Sequence, residues 1–275
     1  MPVVTAKAVR EQRVTVPSLA RRKSRGERIA MLTAYDFTFA SIFDSADIDV
    51  LLVGDSLGNV VQGEDTTLPV SLDEIVYHTR TVARGARRSL VVADMPFGSY
   101  QISAEDAVRN ALRCVKEGGA QAVKLEGGES QAATIARIVT AEIPVMGHVG
   151  LTPQAIHRMG GNRVQGRDQE SRARVVRDAQ AVEAAGAFAV VLEGVPEALA
   201  REVTQRLTIP TIGIGAGVHC DGQVLVMHDM LGLTDWTPSF VKQYASLGSL
   251  ASQAARNFAE EVANSKFPDA EHSYR

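Results

Sequence analysis

The chain of 275 residues contains little cysteine, few aromatic residues and no long hydrophobic segment. Its two cysteines, Cys114 and Cys220, lie far apart and outside any CxxC spacing, which predicts neither a disulfide framework nor a cysteine zinc site. Apolar runs reach about six residues, well short of the ~18 that a membrane helix needs. Because no apolar secretory segment lies near the N-terminus, we expect a cytoplasmic protein with no membrane partner.

The net charge is only −3, but basic residues are concentrated at the start of the chain. Residues 1–28 contain eight Lys or Arg against Glu11 and Glu27, which leaves the remainder acidic. An acidic body argues against a nucleic-acid partner. We therefore predict a basic, partly flexible arm over residues 1–26. One catalytic domain over 27–265 and a C-terminal tail over 266–275 are expected to follow.

Short apolar runs alternate with helical patterns along the whole sequence. The runs are continuous rather than alternating, as expected for parallel strands buried on both faces. The alternation and the chain length predict an α/β fold, a single-domain (β/α)8 TIM barrel. A doubly wound open sheet fits less well because residues 33–36 lack the glycines of a dinucleotide-binding turn. The predicted strands are 29–33, 50–53, 90–93, 122–125, 144–147, 188–192, 211–214 and 224–227, and the predicted helices are 71–85, 103–117, 170–185, 196–206 and 238–264.

Polar and charged residues recur where these strands end. The carboxyl ends of barrel strands meet at one rim, where the chemistry of such proteins takes place. One carboxylate at such an end often only caps the next helix, but a cluster is costly unless it binds a cation or a polar ligand. The residues at these ends are Tyr35, Asp36, Asp55, Ser56, Asp94, Lys124, Glu126, His148, Glu193, His228 and Asp229.

Asp55, Asp94 and Glu126 supply three carboxylates from three consecutive strands. Oxygen ligands without cysteine favour a hard cation, above all Mg²⁺. Since Mg²⁺ keeps several waters, we expect one of the three carboxylates to act through water. We predict a Mg²⁺ site here, and the alternative is that Asp55 and Asp94 are helix N-caps.

Lys124 and Glu126 lie two residues apart and therefore on the same side of one strand. We predict that Lys124 holds a substrate anion, with a structural ion pair as the alternative. Glu193 follows the apolar run 188–192 and is the candidate general base. His148 is either a ligand or substrate contact or a buried core histidine. His228 and Asp229 have no clear role.

Two glycine-rich loops allow more than one interpretation. Gly213, Gly215 and Gly217 follow the seventh strand, where barrels often bind phosphate, but a tight turn explains them equally well. The polar segment 160–167 is either a lid over the site or a plain surface loop.

Nine segments spread along the chain resemble the ketopantoate hydroxymethyltransferase family. The most distinctive are LVGDSLG at 52–58, VKLEGG at 123–128 and GHVGLTPQ at 147–154. The others lie at 33–36, 67–70, 93–97, 192–196, 212–217 and 221–226, in family order. The resemblance covers about residues 27–265.

This resemblance implies a barrel of the phosphoenolpyruvate/pyruvate superfamily that binds a 2-oxo acid through a divalent cation. The implied reaction transfers a hydroxymethyl group from 5,10-methylenetetrahydrofolate to 3-methyl-2-oxobutanoate, by Mg²⁺-assisted enolisation and aldol-like addition. The products are 2-dehydropantoate and tetrahydrofolate, in the first step of pantothenate biosynthesis. A homodecamer is also implied. The implied residues are Asp55, Asp94 and Glu126 for Mg²⁺, Asp55, Ser56, Asp94, Lys124 and His148 for the oxo acid, and Glu193 as the base.

Two other functions remain open for such a barrel. A lyase or mutase of the same superfamily cleaves a bond, generally with a catalytic cysteine in a loop, which neither Cys114 nor Cys220 obviously matches. A non-catalytic barrel that binds a metabolite as a sensor or scaffold has no need of a base at Glu193.

Overall fold

Eight parallel strands close into a barrel, in a computed structural model that describes residues 13–274. The strands follow one another around the barrel in sequence order, and β8 pairs with β1. The predicted (β/α)8 barrel is therefore confirmed. The strands are β1 Ile29–Thr33, β2 Val50–Val53, β3 Leu90–Asp94, β4 Ala122–Glu126, β5 Val145–Gly150, β6 Ala189–Glu193, β7 Thr211–Ile214 and β8 Gly222–Leu225.

Six of the eight strands lie within one residue of their predicted bounds. Their residues are almost all buried, as expected for parallel strands covered on both faces. The two larger differences involve glycine. Strand β5 continues to Gly150, and β8 begins at Gly222, where a side chain would lie 2.5 Å from the backbone oxygen of Ile29. Gly222 therefore permits close pairing with β1 instead of forming a turn.

Helices cover the outside of the barrel, and the four predicted helices up to residue 206 are confirmed within one residue at each end. Ser71 and Glu74 form a capping box at the start of one of them. Three further helices of eight or more residues, over 16–25, 37–45 and 132–140, were not predicted. The helices are α1 Val16–Arg25, α2 Phe37–Ser45, α3 Leu72–Gly85, α4 Ala104–Lys116, α5 Ala132–Thr140, α6 Ile156–Met159, α7 Gln169–Ala184 and α8 Glu197–Arg206.

Helix α1 occupies residues 16–25 of the basic arm that the sequence predicts over residues 1–26. Leu19 is buried in the apolar cluster at the start of the strands. Arg22 pairs with Asp49 at 2.6 Å and Lys23 with Asp221 at 2.8 Å, and these aspartates immediately precede β2 and β8. Arg22 and Lys23 of α1 are thus partners of acidic residues at the amino ends of the strands. Residues 1–12 of the arm lie outside the described residues.

A second compact unit begins at Val226. It contains helices α9 Met227–Met230 and α10 Leu247–Ala263, so the helix predicted over 238–264 begins nine residues later. None of the residues of α10 is buried. The domain predicted over 27–265 thus contains the barrel and most of this second unit. Within residues 13–274, no helix combines the length and the apolar character that a membrane span requires.

Candidate active site

The carboxyl ends of β2 to β6 bring the predicted polar residues together at one rim. Strand register places Asp94 opposite Lys124 and Glu126 opposite His148. These four side chains and that of Asp55 are buried. Buried polar groups at a single rim need partners, so the contacts among them define the site.

Lys124 and Asp94 form a buried ion pair. Lys124 Nζ donates to both carboxylate oxygens of Asp94, at 2.7 Å each, and the Asp55 amide contacts Asp94 Oδ2 at 3.3 Å. Burial acts against the charged form of Lys124, but the carboxylates around it raise its pKa above the usual value. Burial raises the pKa of Asp94 to about 7, although Lys124 acts to lower it. The ammonium is therefore a fixed cation among carboxylates.

The N-cap alternative for Asp55 and Asp94 is wrong. The helical turn after β2 is capped by Leu57, and helix α4 is capped by Ser103. Asp36 does act as a cap, because its Oδ1 accepts a hydrogen bond from the Phe39 amide at the start of α2.

Gln154 and Tyr100 complete the rim, and no role was predicted for either. Gln154 Nε2 donates to Asp55 Oδ2 at 2.9 Å and to the Met95 carbonyl at 3.0 Å. The Gln154 amide donates to Glu126 Oε2 at 3.0 Å, and Tyr100 donates its hydroxyl hydrogen to Gln154 Oε1 at 2.6 Å. Gln154 is the last residue of the segment 147–154, and the resemblance of this segment to the family was the only indication in the sequence that Gln154 belongs to the site. Tyr100 lies in the loop between the predicted strand 90–93 and the predicted helix 103–117, away from the strand end, so the sequence pattern did not indicate it.

His148 lies between two carboxylates. Its Nδ1 is 3.6 Å from Glu126 Oε1, and its Nε2 is 3.1 Å from Glu193 Oε2. Neither ring nitrogen nor Glu126 Oε1 has a hydrogen-bond partner of good geometry among the described residues. Burial and Lys124 lower the pKa of His148, against the raising effect of Glu193. Unsatisfied buried polar atoms of this kind are characteristic of ligand sites and argue against a core histidine.

Glu193 and Ser56 extend the site towards solvent. Glu193 ends β6, and its side chain is 17% exposed. Ser56 follows β2, and its Oγ lies 2.9 Å from the hydroxyl of Tyr35 at the end of β1. All the predicted oxo-acid, metal and base residues therefore lie at the ends of neighbouring strands.

The three predicted metal ligands fit a Mg²⁺ ion by charge and donor type. Counted formally, the charges of Lys124 and of the carboxylates of Asp55, Asp94 and Glu126 sum to −2, which a bound divalent cation would neutralise. The donors are oxygen atoms, and Glu126 Oε1 is buried without a partner. As the side chains stand, no three His, Cys, Asp or Glu residues in 13–274 converge closely enough to hold a metal.

The remaining sequence candidates have contacts of their own. Gly215 and Gly217 have positive φ angles, and Gln223 donates to the Gly217 carbonyl, as in a tight turn. His228 and Asp229 belong to the second unit, where Asp229 accepts a hydrogen bond from Thr234. In the segment 160–167, the Gln165 amide donates to the Gly194 carbonyl, next to Glu193.

Neither cysteine has the properties of a nucleophile. Cys114 is buried in helix α4, and burial raises the pKa of its thiol to about 12. Burial also raises the pKa of the Cys220 thiol. A reactive cysteine needs an accessible thiolate, which neither residue offers.

Comparison with known proteins identifies relatives over nearly the full chain. The sequence pattern of the ketopantoate hydroxymethyltransferase family matches residues 13–270. The 3-methyl-2-oxobutanoate hydroxymethyltransferase of Magnetococcus marinus is 56% identical over 265 residues, covering 96% of this chain and 99% of its own. The corresponding enzyme of Pelobacter propionicus is 54% identical over 264 residues, covering 96% of this chain and 98% of its own.

Solved structures show the same fold at low sequence identity. Phosphonopyruvate hydrolase in complex with oxalate and Mg²⁺ is similar with a TM-score of 0.62 and 13% identity, covering 94% of this chain and 92% of its own. A 2,3-dimethylmalate lyase of the PEP mutase/isocitrate lyase superfamily is similar with a TM-score of 0.58 and 19% identity. The match covers 99% of this chain and 93% of the lyase chain. Because the full-length matches far exceed chance similarity, the chain belongs to the ketopantoate hydroxymethyltransferase family.

Proposed function

We propose that the rim of this barrel catalyses the reaction of its family, the hydroxymethylation of 3-methyl-2-oxobutanoate in the first step of pantothenate biosynthesis. The C3–H bond of the oxo acid breaks, and a new bond joins C3 to the one-carbon unit of 5,10-methylenetetrahydrofolate. Water supplies the hydroxyl group, and tetrahydrofolate leaves. The observation that carries the proposal is the buried Lys124–Asp94 pair beside Asp55 and Glu126 in a chain of this family.

Asp55, Asp94 and Glu126 are the residues that would hold Mg²⁺. When bound, the ion polarises the 2-oxo group as a Lewis acid and so acidifies the C3–H bond. Lys124 supplies a second, fixed positive charge, which stabilises the enolate oxygen that develops as the proton leaves. Ser56 and His148 are the residues that would orient the oxo acid.

Glu193 is the proposed base that removes the C3 proton. Its carboxylate reaches the rim from β6, and its Oε2 lies 3.1 Å from His148 Nε2. The buried imidazole can hold this carboxylate in one orientation towards the substrate. Glu193 retains partial access to solvent, which gives the abstracted proton a route out of the site.

The two alternative functions are less well supported. A superfamily lyase with a catalytic cysteine requires a reactive thiol, whereas burial raises the pKa of both cysteines. A sensor or scaffold does not need a carboxylate beside a neutral imidazole. Incubating the protein with both substrates, with Mg²⁺ and then with EDTA, tests the proposal by mass spectrometry. We expect Mg²⁺-dependent 2-dehydropantoate, whereas cleavage products or no product would contradict it.

We further propose that the protein is a homo-oligomer, a decamer by resemblance to its family. Helix α10 supports assembly with further copies, because Leu250, Phe258 and Val262 are exposed on it and none of its residues is buried. Light scattering should give about ten times the 29.5 kDa of one chain. A monomeric mass would contradict assembly.

A further inference from the structure

Two adjoining cavities lead outwards from the rim. The first, of about 370 Å³, begins at Glu126 and Gln154 and is bordered by Leu68, Phe97 and Tyr100. The second, of about 450 Å³, lies beside it. They share walls formed by Gly127, Ser130, Thr152 and Arg158. A long ligand can therefore extend from the buried rim through the first cavity into the second.

The second cavity is rich in arginine. Arg174 and Arg177 lie three residues apart on α7, so they project from the same face of this helix. Arg158 reaches the cavity from α6.

The acidic residues of this cavity are already engaged. Glu129 Oε2 lies 3.7 Å from Arg177 Nε, and Asp178 Oδ1 accepts a hydrogen bond from the Glu129 amide. Within residues 13–274, the guanidinium groups of Arg158 and Arg174 have neither an ion-pair partner nor a hydrogen-bond partner. Two guanidinium groups are thus available to an anion, and guanidinium binds carboxylates especially well.

We propose that the second cavity binds the glutamate carboxylates of the folate co-substrate, an inference that rests on the proposed function. A reduced folate carries its one-carbon unit on a flat ring system at one end and glutamate at the other. The one-carbon unit must reach the oxo acid at the rim, so the ring system occupies the first cavity, against Phe97 and Tyr100. The glutamate end then extends into the second cavity, towards Arg158 and Arg174.

The test compares Arg158→Gln, Arg174→Gln and the double variant, using co-substrates with one or three glutamyl residues and one without glutamate. For glutamylated co-substrate, we expect KM to rise about 2- to 5-fold in each single variant and about tenfold in the double variant, since exposed charge contacts are individually modest. The turnover number and KM for the oxo acid should not change. With the glutamate-free co-substrate, the variants should match the wild type.

Arg137→Gln is the matched control, because Arg137 is an exposed arginine on α5 that borders neither cavity. We expect this variant to behave as the wild type with every co-substrate. An unchanged KM for glutamylated folate in the double variant would overturn the inference while leaving the proposed function intact. An equal rise with the glutamate-free co-substrate would overturn it too. Failure of the wild type to form 2-dehydropantoate would overturn the proposed function itself.

Discussion

Gln154 Nε2 donates a hydrogen bond to Asp55 Oδ2 at 2.9 Å, which joins the loop after β5 to the end of β2. The same side chain accepts from Tyr100, and its backbone amide donates to Glu126. One glutamine thus orients two of the three proposed Mg²⁺ ligands. Such outer partners fix the direction of ligand oxygens and tune metal affinity.

Replacing Gln154 by Leu should therefore weaken Mg²⁺ use. We expect kcat/KM to fall about 10- to 100-fold, and the Mg²⁺ concentration for half-maximal activity to rise by a similar factor. Steady-state kinetics over a Mg²⁺ titration measure both. Gln101→Leu is the control, because Gln101 Nε2 donates to Gln154 Oε1 at 3.3 Å and its Oε1 accepts from the Gly98 and Tyr100 amides, and none of these atoms belongs to a proposed Mg²⁺ ligand. An unchanged Mg²⁺ requirement in Gln154→Leu would show that the glutamine does not act on the ligands.

The Lys124–Asp94 pair allows a structural role to be separated from a functional one. Lys124→Met removes the cation and leaves Asp94 buried without its partner, which should cost about 3–5 kcal/mol in the free energy of unfolding. Adding Asp94→Asn should restore much of this stability, because no unpaired charge remains. We expect both variants to lose oxo-acid binding. Denaturant unfolding measures the stability, and calorimetric titration measures oxo-acid binding. Normal oxo-acid binding in the double variant would contradict the functional role and would show that the Lys124–Asp94 pair is only structural.

Asp49 connects helix α1 to the barrel. Its buried carboxylate pairs with Arg22 at 2.6 Å and Arg88 at 2.8 Å, and it accepts a hydrogen bond from the Ala30 amide. We expect Asp49→Ala to lower the free energy of unfolding by about 3–5 kcal/mol, since two cations lose their partner. Chemical denaturation checks this value. Arg25→Gln, which breaks an exposed pair with Glu27, should change stability by less than about 1 kcal/mol. Equal effects of the two variants would contradict docking of α1.

The lowered pKa of Asp44 predicts that the folded protein loses stability at low pH. Burial acts to raise its pKa, but hydrogen bonds from Ser89 and Arg88 outweigh this and hold the pKa below the ordinary value of 3.8. Ionised Asp44 therefore stabilises the fold above that value, and the stabilisation is lost as pH falls through the lower folded pKa. Asp44→Asn should cost about 1 kcal/mol near pH 6, and the difference should shrink near pH 2.5. A difference independent of pH would contradict this.

Sequence pattern predicted the barrel well because parallel strands bury both faces. Val50–Val53 and Val190 with its neighbours form continuous apolar runs that few other structures produce. Strand β5 extends further than predicted because pairing with β6 continues through His148 to Gly150, past the end of the apolar run. Helix α1 was not predicted because its basic residues are typical of a solvated arm. Asp49 and Asp221, the partners of Arg22 and Lys23, are remote in sequence.

The site was predictable where it depends on strand ends. Asp55, Asp94, Lys124, Glu126, His148 and Glu193 meet because parallel strands finish at one rim. Gln154 and Tyr100 were not predictable from this pattern, since their contacts depend on the paths of two loops in space. The arginines of the second cavity lie on helices, so the pattern of polar residues at strand ends did not predict them either.

The proposed role of Glu193 is to remove the C3 proton of the oxo acid, in a step expected to require Mg²⁺. Proton NMR of 3-methyl-2-oxobutanoate in D₂O, before any folate is added, measures this step directly. The wild type and the control Glu197→Gln, an exposed glutamate of α8, should lose the C3–H signal with Mg²⁺ and retain it with EDTA. Glu193→Gln should bind the oxo acid but retain the signal. Exchange at the wild-type rate in Glu193→Gln, or exchange unaffected by EDTA, would contradict the account.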